Sequence, residues 1–353
     1  MENLVENLRA SYKGKRVLVT GHNGFKGSWL VAFLNYLGAE VYGISLEINE
    51  DSPFKDFHHN SNHTSFTIDI RNLIEFRTRI LNINPDLVFH LAAQSLVLDS
   101  YEKPRETFEV NIQGSINLFD SLTETNCLGV VVATTDKVYR NIDEGKIFKE
   151  SDALWGHDPY SLSKTGVELA ITAWRNLPST NSCEFIAVRA GNVFGPGDRA
   201  RNRLLPDLLS SIRSGSVAKI RNPKSIRPWQ YVLDPLLGYL LLGTRMLERN
   251  ETNFAYNFGP SEDASVSVLD FVLKLQEISD FKFEIENSEL KLESKILKID
   301  STLAKYHLGW RSITSLSSGL KHSVEIDQSQ LSVAACEGHV VDYLFTAQDS
   351  LVQ

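Results

Sequence analysis

Six apolar runs, each about a strand long, recur between the start of the chain and Ala190, and helix-length segments separate them. They are "RVLVTG" at Arg16, "AEVYGISL" at Ala39, "SFTID" at Ser65, "DLVFHLAA" at Asp86, "VVVATT" at Val130 and "EFIAVRA" at Glu184. A strand that is apolar on both faces must be covered on both faces. A connection long enough for a helix carries the chain back to begin the next strand in the same direction. The pattern predicts a doubly wound α/β fold, a parallel sheet covered by helices such as "GSWLVAFLNYLG" and "RNLIEFRTRILN".

Past Ala190 the texture changes to "GNVFGPGDRARNRLLPD", rich in Gly, Pro, Asn and Arg. We expect residues 1–190 to form a nucleotide-binding unit and residues 191–353 to form mainly a smaller substrate-binding domain over the carboxyl edge of the sheet. A segment near 232–262, including "NFAYNFG", should return to the core, and the tail from Gln328 shows no strong period. With 353 residues the chain can bury a large core, and its net charge of −8 provides no basic field for holding nucleic acid. Cys127, Cys183 and Cys336 have neither metal-ligand spacing nor the even count of a disulfide framework. They read as buried thiols in a reducing compartment, and no metal site is expected. The acidic N-terminus lacks a signal-peptide pattern, and "LLGYLLLGTRML" is too short and interrupted to span a bilayer, so the chain is expected in the cytoplasm, off the membrane.

"VTGHNGFKGSWL" places Gly21, Gly24 and Gly27 at the first strand-to-helix junction. The first glycine permits a tight turn, the second a close backbone approach to a pyrophosphate, and the third close packing of helix on strand. In that position the trio reads as a Rossmann-type dinucleotide loop. An acid often ends the second strand to hold the ribose of NAD. Here Ser45 lies nearest that place, Glu47 slightly beyond, and no arginine follows to meet a 2′-phosphate, so NAD is the expected cofactor. Asp69 and Ile70 after the third strand are candidates for the adenine. The small Ala92 and Ala93 after the fourth would let the chain pass close to the cofactor.

Tyr160 and Lys164 in "DPYSLSK" are one helical turn apart and share a face. An ammonium beside a phenol favours the phenolate, which can remove a proton from a substrate hydroxyl. Such a pair alone is commonplace on a solvated helix. What raises it here is Thr135 at the end of a sheet strand, upstream of the pair and downstream of the glycine loop.

With these motifs in order, the chain resembles the short-chain dehydrogenase/reductase superfamily in its extended form, which acts on nucleotide sugars. The strings "GHNGFKGSWL", "FHLAAQSLV", "TTDKVY", "DPYSLSK", "RAGNVFGPGD" and "IRPWQYVLDPLLGYL" resemble the CDP-glucose branch of its 4,6-dehydratases. That branch carries Asp-Lys after the strand-end threonine where the dTDP-glucose enzymes carry Asp-Glu, and this chain has Asp136 and Lys137. The resemblance implies that Tyr160 helps oxidise C4 of the hexose, that Lys137 removes the C5 proton, and that a protonated Asp136 donates to the leaving C6 hydroxyl. It also implies a nucleotide-sugar substrate and a homo-oligomer, a dimer or tetramer. The expected cofactor set is then Gly21, Gly24, Phe25, Lys26, Gly27, Ser45, Asp69, Ile70, Leu91, Ala92, Ala93, Tyr160 and Lys164. Gln94, Asn192, Arg203, Leu204 and Arg227 are expected on the substrate side, with Arg227 on the diphosphate. Arg199 and Arg201 read as surface charge.

Overall fold

A computed structural model of the chain describes residues 3–178, 183–261, 264–286, 296–327 and 331–351. Strands β1 (Arg16–Thr20), β2 (Glu40–Ser45), β3 (Thr64–Thr67), β4 (Leu87–His90), β5 (Gly129–Ala133), β6 (Glu184–Ala190) and β7 (Ala255–Phe258) form one sheet in the order β7-β6-β5-β4-β1-β2-β3. All its pairings are parallel. The six predicted runs supply β1 to β6, and the segment expected to return supplies β7 on the outer edge of β6.

Alternate side chains of the inner strands enter opposite cores, as the period of a strand requires. Val17 and Val19, Leu87 and Phe89, and Val131 and Ala133 join one cluster. Leu18, Val88, Val130 and Val132 join the other. Each fully buried aliphatic or phenyl group contributes roughly 1.5–3 kcal/mol, which is why the inner strands are mostly apolar.

The strand order reverses between β1 and β4, where Val17 pairs with both Val41 and Leu87. In open parallel sheets a ligand crevice forms at such a point, beyond the carboxyl ends of the strands. The chain after Ala190 roofs that edge with the helix Leu204–Ser214 and a three-stranded sheet of Asn192–Phe194, Ile226–Tyr231 and Ser265–Ser267. The helix Leu233–Leu247 goes back into the main core, with Leu236, Leu237 and Leu240 fully buried. The tail, whose period is weak, forms the helix Val333–Leu351; Tyr343 packs edge-on to Phe33 and donates to Asp234 at 2.9 Å. Residues 328–330, where the tail was expected to begin, lie outside the described residues. Among the described residues no helix is long and apolar enough to cross a membrane, and all three cysteines are buried and unpaired.

Candidate active site

Where β1 ends, the chain turns at Gly21 with φ +74°, and a Cβ there would sit 2.7 Å from the Ala92 nitrogen. At Gly27 a Cβ would meet the Gly21 carbonyl oxygen at 2.1 Å, so only glycine lets the following helix close on the loop. That helix, Phe25–Tyr36, begins at Gly24 without a side-chain cap. Its first amides and the positive end of its dipole therefore face whatever occupies the loop.

The loop forms one wall of a cleft of about 830 Å³. Gly21, Gly24, Phe25, Lys26, Gly27, Leu91, Ala92, Ala93, Thr135, Lys137, Tyr160 and Lys164 all line it, together with Asn192, Arg203, Leu204 and Arg227 from the roof. The motifs scattered from Gly21 to Arg227 thus meet at one place.

The strand-end segment is fixed by its own hydrogen bonds. Thr135 caps a single 3-10 turn, Asp136–Val138, by accepting the Lys137 N–H at 3.3 Å, and its hydroxyl donates to Asp136 Oδ1 at 3.1 Å. Asp136 is fully buried, and its Oδ2 has no partner among the described residues. Lys137 Nζ reaches Asp136 Oδ1 at 3.4 Å and Asn192 Oδ1 at 3.3 Å, and its side chain keeps a quarter of its surface exposed. The pair is therefore a loose contact on the cleft wall, with one carboxyl oxygen left over.

Tyr160 and Lys164 project from the helix Pro159–Arg175, which starts with Pro159 and a capping box between Asp158 and Ser161. Lys164 Nζ donates to the Ala133 carbonyl at 2.9 Å, and burial pushes its pKa down to about 8. The phenol of Tyr160 behaves differently from the expectation. Burial pushes it up to about 12, against a lowering influence from the Thr135 hydroxyl and then from Arg203. Desolvation of the phenolate outweighs the nearby cations, so the protein's own groups leave Tyr160 protonated at neutral pH. Lys26 sits among Arg203, Lys164 and Lys137, and burial followed by those charges lowers its ammonium to about 7.

Five expected residues are not in the cleft lining: Asp136, fully buried against Lys137, and Ser45, Asp69, Ile70 and Gln94. Ser45 ends β2 but its hydroxyl accepts the Asn23 N–H at 3.2 Å, supporting the glycine loop from behind. Asp69 is clasped by Arg71, and Ile70 is buried beneath Gly114, so both belong to the far edge of the sheet. Gln94 is taken up by Leu96 and the Thr107 hydroxyl, which makes it a brace of its loop. Arg199 is more than surface charge, because it shares the buried carboxylate of Asp327 with Arg213.

Two positioning groups escaped the sequence reading. Asn111, in a π-helical turn Glu109–Gln113, bonds both backbone groups of Gln94 and donates to Ser163 Oγ at 2.8 Å. It thereby ties the loop after β4 to the Tyr160 helix. Glu168, one turn beyond Lys164, forms a buried ion pair with Arg189 of β6 and accepts from Thr134 at 2.8 Å. A carboxyl one turn beyond Lys164 on the same helix face was the available signal for Glu168; nothing marked Asn111.

Comparison with known proteins agrees with this arrangement. A model of the NAD dependent epimerase/dehydratase family matches residues 17–259. The CDP-glucose 4,6-dehydratase of Salmonella typhimurium is 39% identical over 310 residues, covering 85% of this chain and 86% of that protein. The epimerase Mth375 of Methanothermobacter thermautotrophicus superposes with a TM-score of 0.81 at 25% identity, covering 92% of this chain and 95% of that one. TunA, an NAD-dependent NDP-hexosamine 5,6-dehydratase, gives 0.75 at 23% identity over 89% and 98%, which is a likeness of fold.

Proposed function

The chain belongs to the NAD-dependent epimerase/dehydratase family, and from that membership and the cleft we propose that it is a nucleotide-sugar 4,6-dehydratase acting on CDP-glucose. The observation that carries this reading is that Lys137 and Tyr160 line one cleft with Asp136 buried against Lys137, since exchange at C4 alone needs no groups for eliminating water. The 39% identity to a CDP-glucose 4,6-dehydratase supports the choice of substrate.

The loop fits a dinucleotide, because Gly21 and Gly27 hold bare backbone where a Cβ would collide and the helix behind them has open amides. Gly21, Gly24, Phe25, Lys26 and Gly27 would hold its phosphates, with Leu91, Ala92 and Ala93 along its length. NAD supplies the hydride acceptor at the start of the reaction and the hydride donor at its end.

Tyr160, once the positive nicotinamide ring of bound NAD joins Lys164 in favouring its phenolate over the phenol, would take the proton of the C4 hydroxyl as that carbon is oxidised, and Thr135 orients the phenol oxygen. The resulting 4-ketone acidifies the C5 proton, which Lys137 removes. Asp136 delivers a proton to the departing C6 hydroxyl, using a carboxyl that is buried and has one oxygen without a partner. Hydride returned to C6, with a proton returned to C5 from Lys137, would complete the 4-keto-6-deoxy sugar, one water having been released. Asn192 shares its amide oxygen with Lys137, so it can position that base against the sugar. Arg203, Leu204 and the buried Arg227 would hold the nucleotide end, with Arg227 suited to two-point contact with phosphate. The chain would work in the cytoplasm as a homo-oligomer, in keeping with the resemblance.

Mass spectrometry of reactions with CDP-, dTDP-, UDP- and GDP-hexoses tests the proposal. Loss of one water from CDP-glucose is expected, whereas unchanged mass with inversion at C4 would make the chain an epimerase.

A further inference from the structure

Away from the cleft, three imidazoles converge behind the glycine loop. His22 belongs to the loop and is fully buried, His58 lies in the helix Lys55–Asn60, and His63 immediately precedes β3. The ring centroids of His58 and His63 are 5.1 Å apart, and each lies 5.5 Å from that of His22. One nitrogen from each ring falls within 4.8 Å of the others.

We propose that His22, His58 and His63 form a binding site for a divalent transition-metal ion of the zinc class. The first support is the use of the opposite ring nitrogens. His22 Nε2 meets Ser65 Oγ at 2.7 Å, His58 Nε2 meets Ser28 Oγ at 2.9 Å, and His63 Nδ1 meets Ser61 Oγ at 2.8 Å. A hydroxyl on the outer nitrogen fixes each ring and its tautomer, as the outer partners of metal-bound histidines do. The second support is what remains on the inner side. His58 Nδ1 and His63 Nε2 stand 3.3 Å apart, and His22 Nδ1 is buried without a hydrogen bond. Two nitrogens bound tetrahedrally to zinc at about 2.0–2.1 Å lie about 3.4 Å apart.

A proton shared between His58 and His63 would explain their contact but not the approach of a third imidazole, His22, to both. The Ile44 carbonyl, which accepts the Gly21 N–H at 2.8 Å, has a second lone pair that can accept from the His22 ring, so the site rests on the convergence of three rings and not on one unpartnered nitrogen. Burial, the leading influence on all three rings, depresses their basicity, to about 3 for His22 and His58, which leaves them neutral as ligands must be. The backbone is shaped for the ring as well. A Cβ on Gly43 would come within 2.3 Å of His22 Cγ, so the imidazole rests on bare β2. His58 and His63 are half-buried, giving an ion a route in and leaving its fourth position for water. Imidazoles without carboxylates favour zinc, copper or nickel over magnesium or calcium. The ion would tie the glycine loop to the β2–β3 edge.

The test uses the full chain without a histidine tag, stripped with a chelator, then titrated with Zn²⁺ by calorimetry and with Co²⁺ by visible absorption. One ion per chain, tetrahedral cobalt bands and a higher melting temperature with zinc are expected. His58→Ala and His63→Ala should each weaken zinc binding at least about a hundred-fold, and Ser65→Ala about ten- to a hundred-fold. His59→Ala, at the exposed neighbouring histidine, should change nothing. Absence of cobalt bands in the wild type, or full binding by a folded His58→Ala/His63→Ala double variant, would overturn the proposal.

Discussion

Arg189→Met removes one half of the buried ion pair beneath the Thr134–Lys137 segment. Arg189 and Glu168 are 3% and 6% exposed, so neither can turn to solvent. The guanidinium gives Nε to Glu168 Oε1 at 2.8 Å and Nη2 to Oε2, and its Nη1 donates to the Tyr139 hydroxyl at 2.7 Å and the Glu150 carbonyl at 3.2 Å. After the substitution Glu168 keeps the Thr134 hydroxyl as its remaining side-chain donor. Leaving one member of such a pair uncompensated costs about 3–5 kcal/mol. That is a large share of the ~5–15 kcal/mol by which a domain is stable. The assay is urea unfolding followed by circular dichroism, with the slope compared to confirm that only stability has changed. Glu168→Leu added to Arg189→Met should recover part of the loss by removing the stranded charge. A single variant within about 1 kcal/mol of wild type, or a double variant as unstable as the sum of the singles, would refute the reasoning.

Tyr160→Phe should leave the circular dichroism spectrum and NAD affinity intact while lowering turnover by about 10²–10⁴-fold, the usual contribution of a positioned proton acceptor, as read by product formation. Arg227→Ala should weaken CDP-glucose binding by about 1.5–3 kcal/mol in calorimetry through loss of a charged phosphate contact; unchanged affinity would move the diphosphate elsewhere. Lys137→Ala should still oxidise C4 but strand the ketone, so reduced cofactor accumulates in rapid-mixing absorbance and C5 takes up no solvent deuterium. Normal C5 exchange in that variant would remove the lysine from the role of base.

The sheet was legible because a strand buried on both faces is built mainly from apolar residues, and the glycine loop because a Cβ at Gly21 or Gly27 would collide with backbone. The cleft-lining residues were legible where they stand at strand ends, as Thr135 and Ala92 do. Ser45 stands at its strand end as expected, but that its hydroxyl accepts from the glycine loop is a direction that strand-end proximity does not give. Nor does it give the hydrogen bonds of the Gln94 amide to neighbours two and thirteen residues away. Asn111 and the Arg189–Glu168 pair depend on contacts across 52 and 21 residues, which no local spacing encodes. His58 and His63, with four residues between them, have the separation of a zinc-ligand pair, but His22 is distant in sequence, and the pairing of β2 with both β1 and β3 brings it to them.

Lys26 connects these observations, because it stands where the loop, the strand end and the roof face one another. Its side chain keeps some exposed surface, yet burial, Arg203, Lys164 and Lys137 together hold its pKa near 7 while Asp136 opposes them. The cleft therefore carries less positive charge at neutral pH than its sequence suggests. A pyrophosphate at the loop would favour the ammonium and raise its pKa towards the ordinary lysine value. Binding then takes up a proton: little at pH 6, where Lys26 is already charged, and close to one per site at pH 8. Affinity should accordingly be greatest below about pH 7 and fall by up to about ten-fold per pH unit above it. Calorimetry of NAD binding at pH 8 in buffers of different ionisation heat measures the uptake. Lys26→Met should abolish it and flatten the pH dependence of affinity. Equal heats in all buffers for the wild type would mean that Lys26 does not meet the phosphates, and the loop's open amides would have to hold them alone.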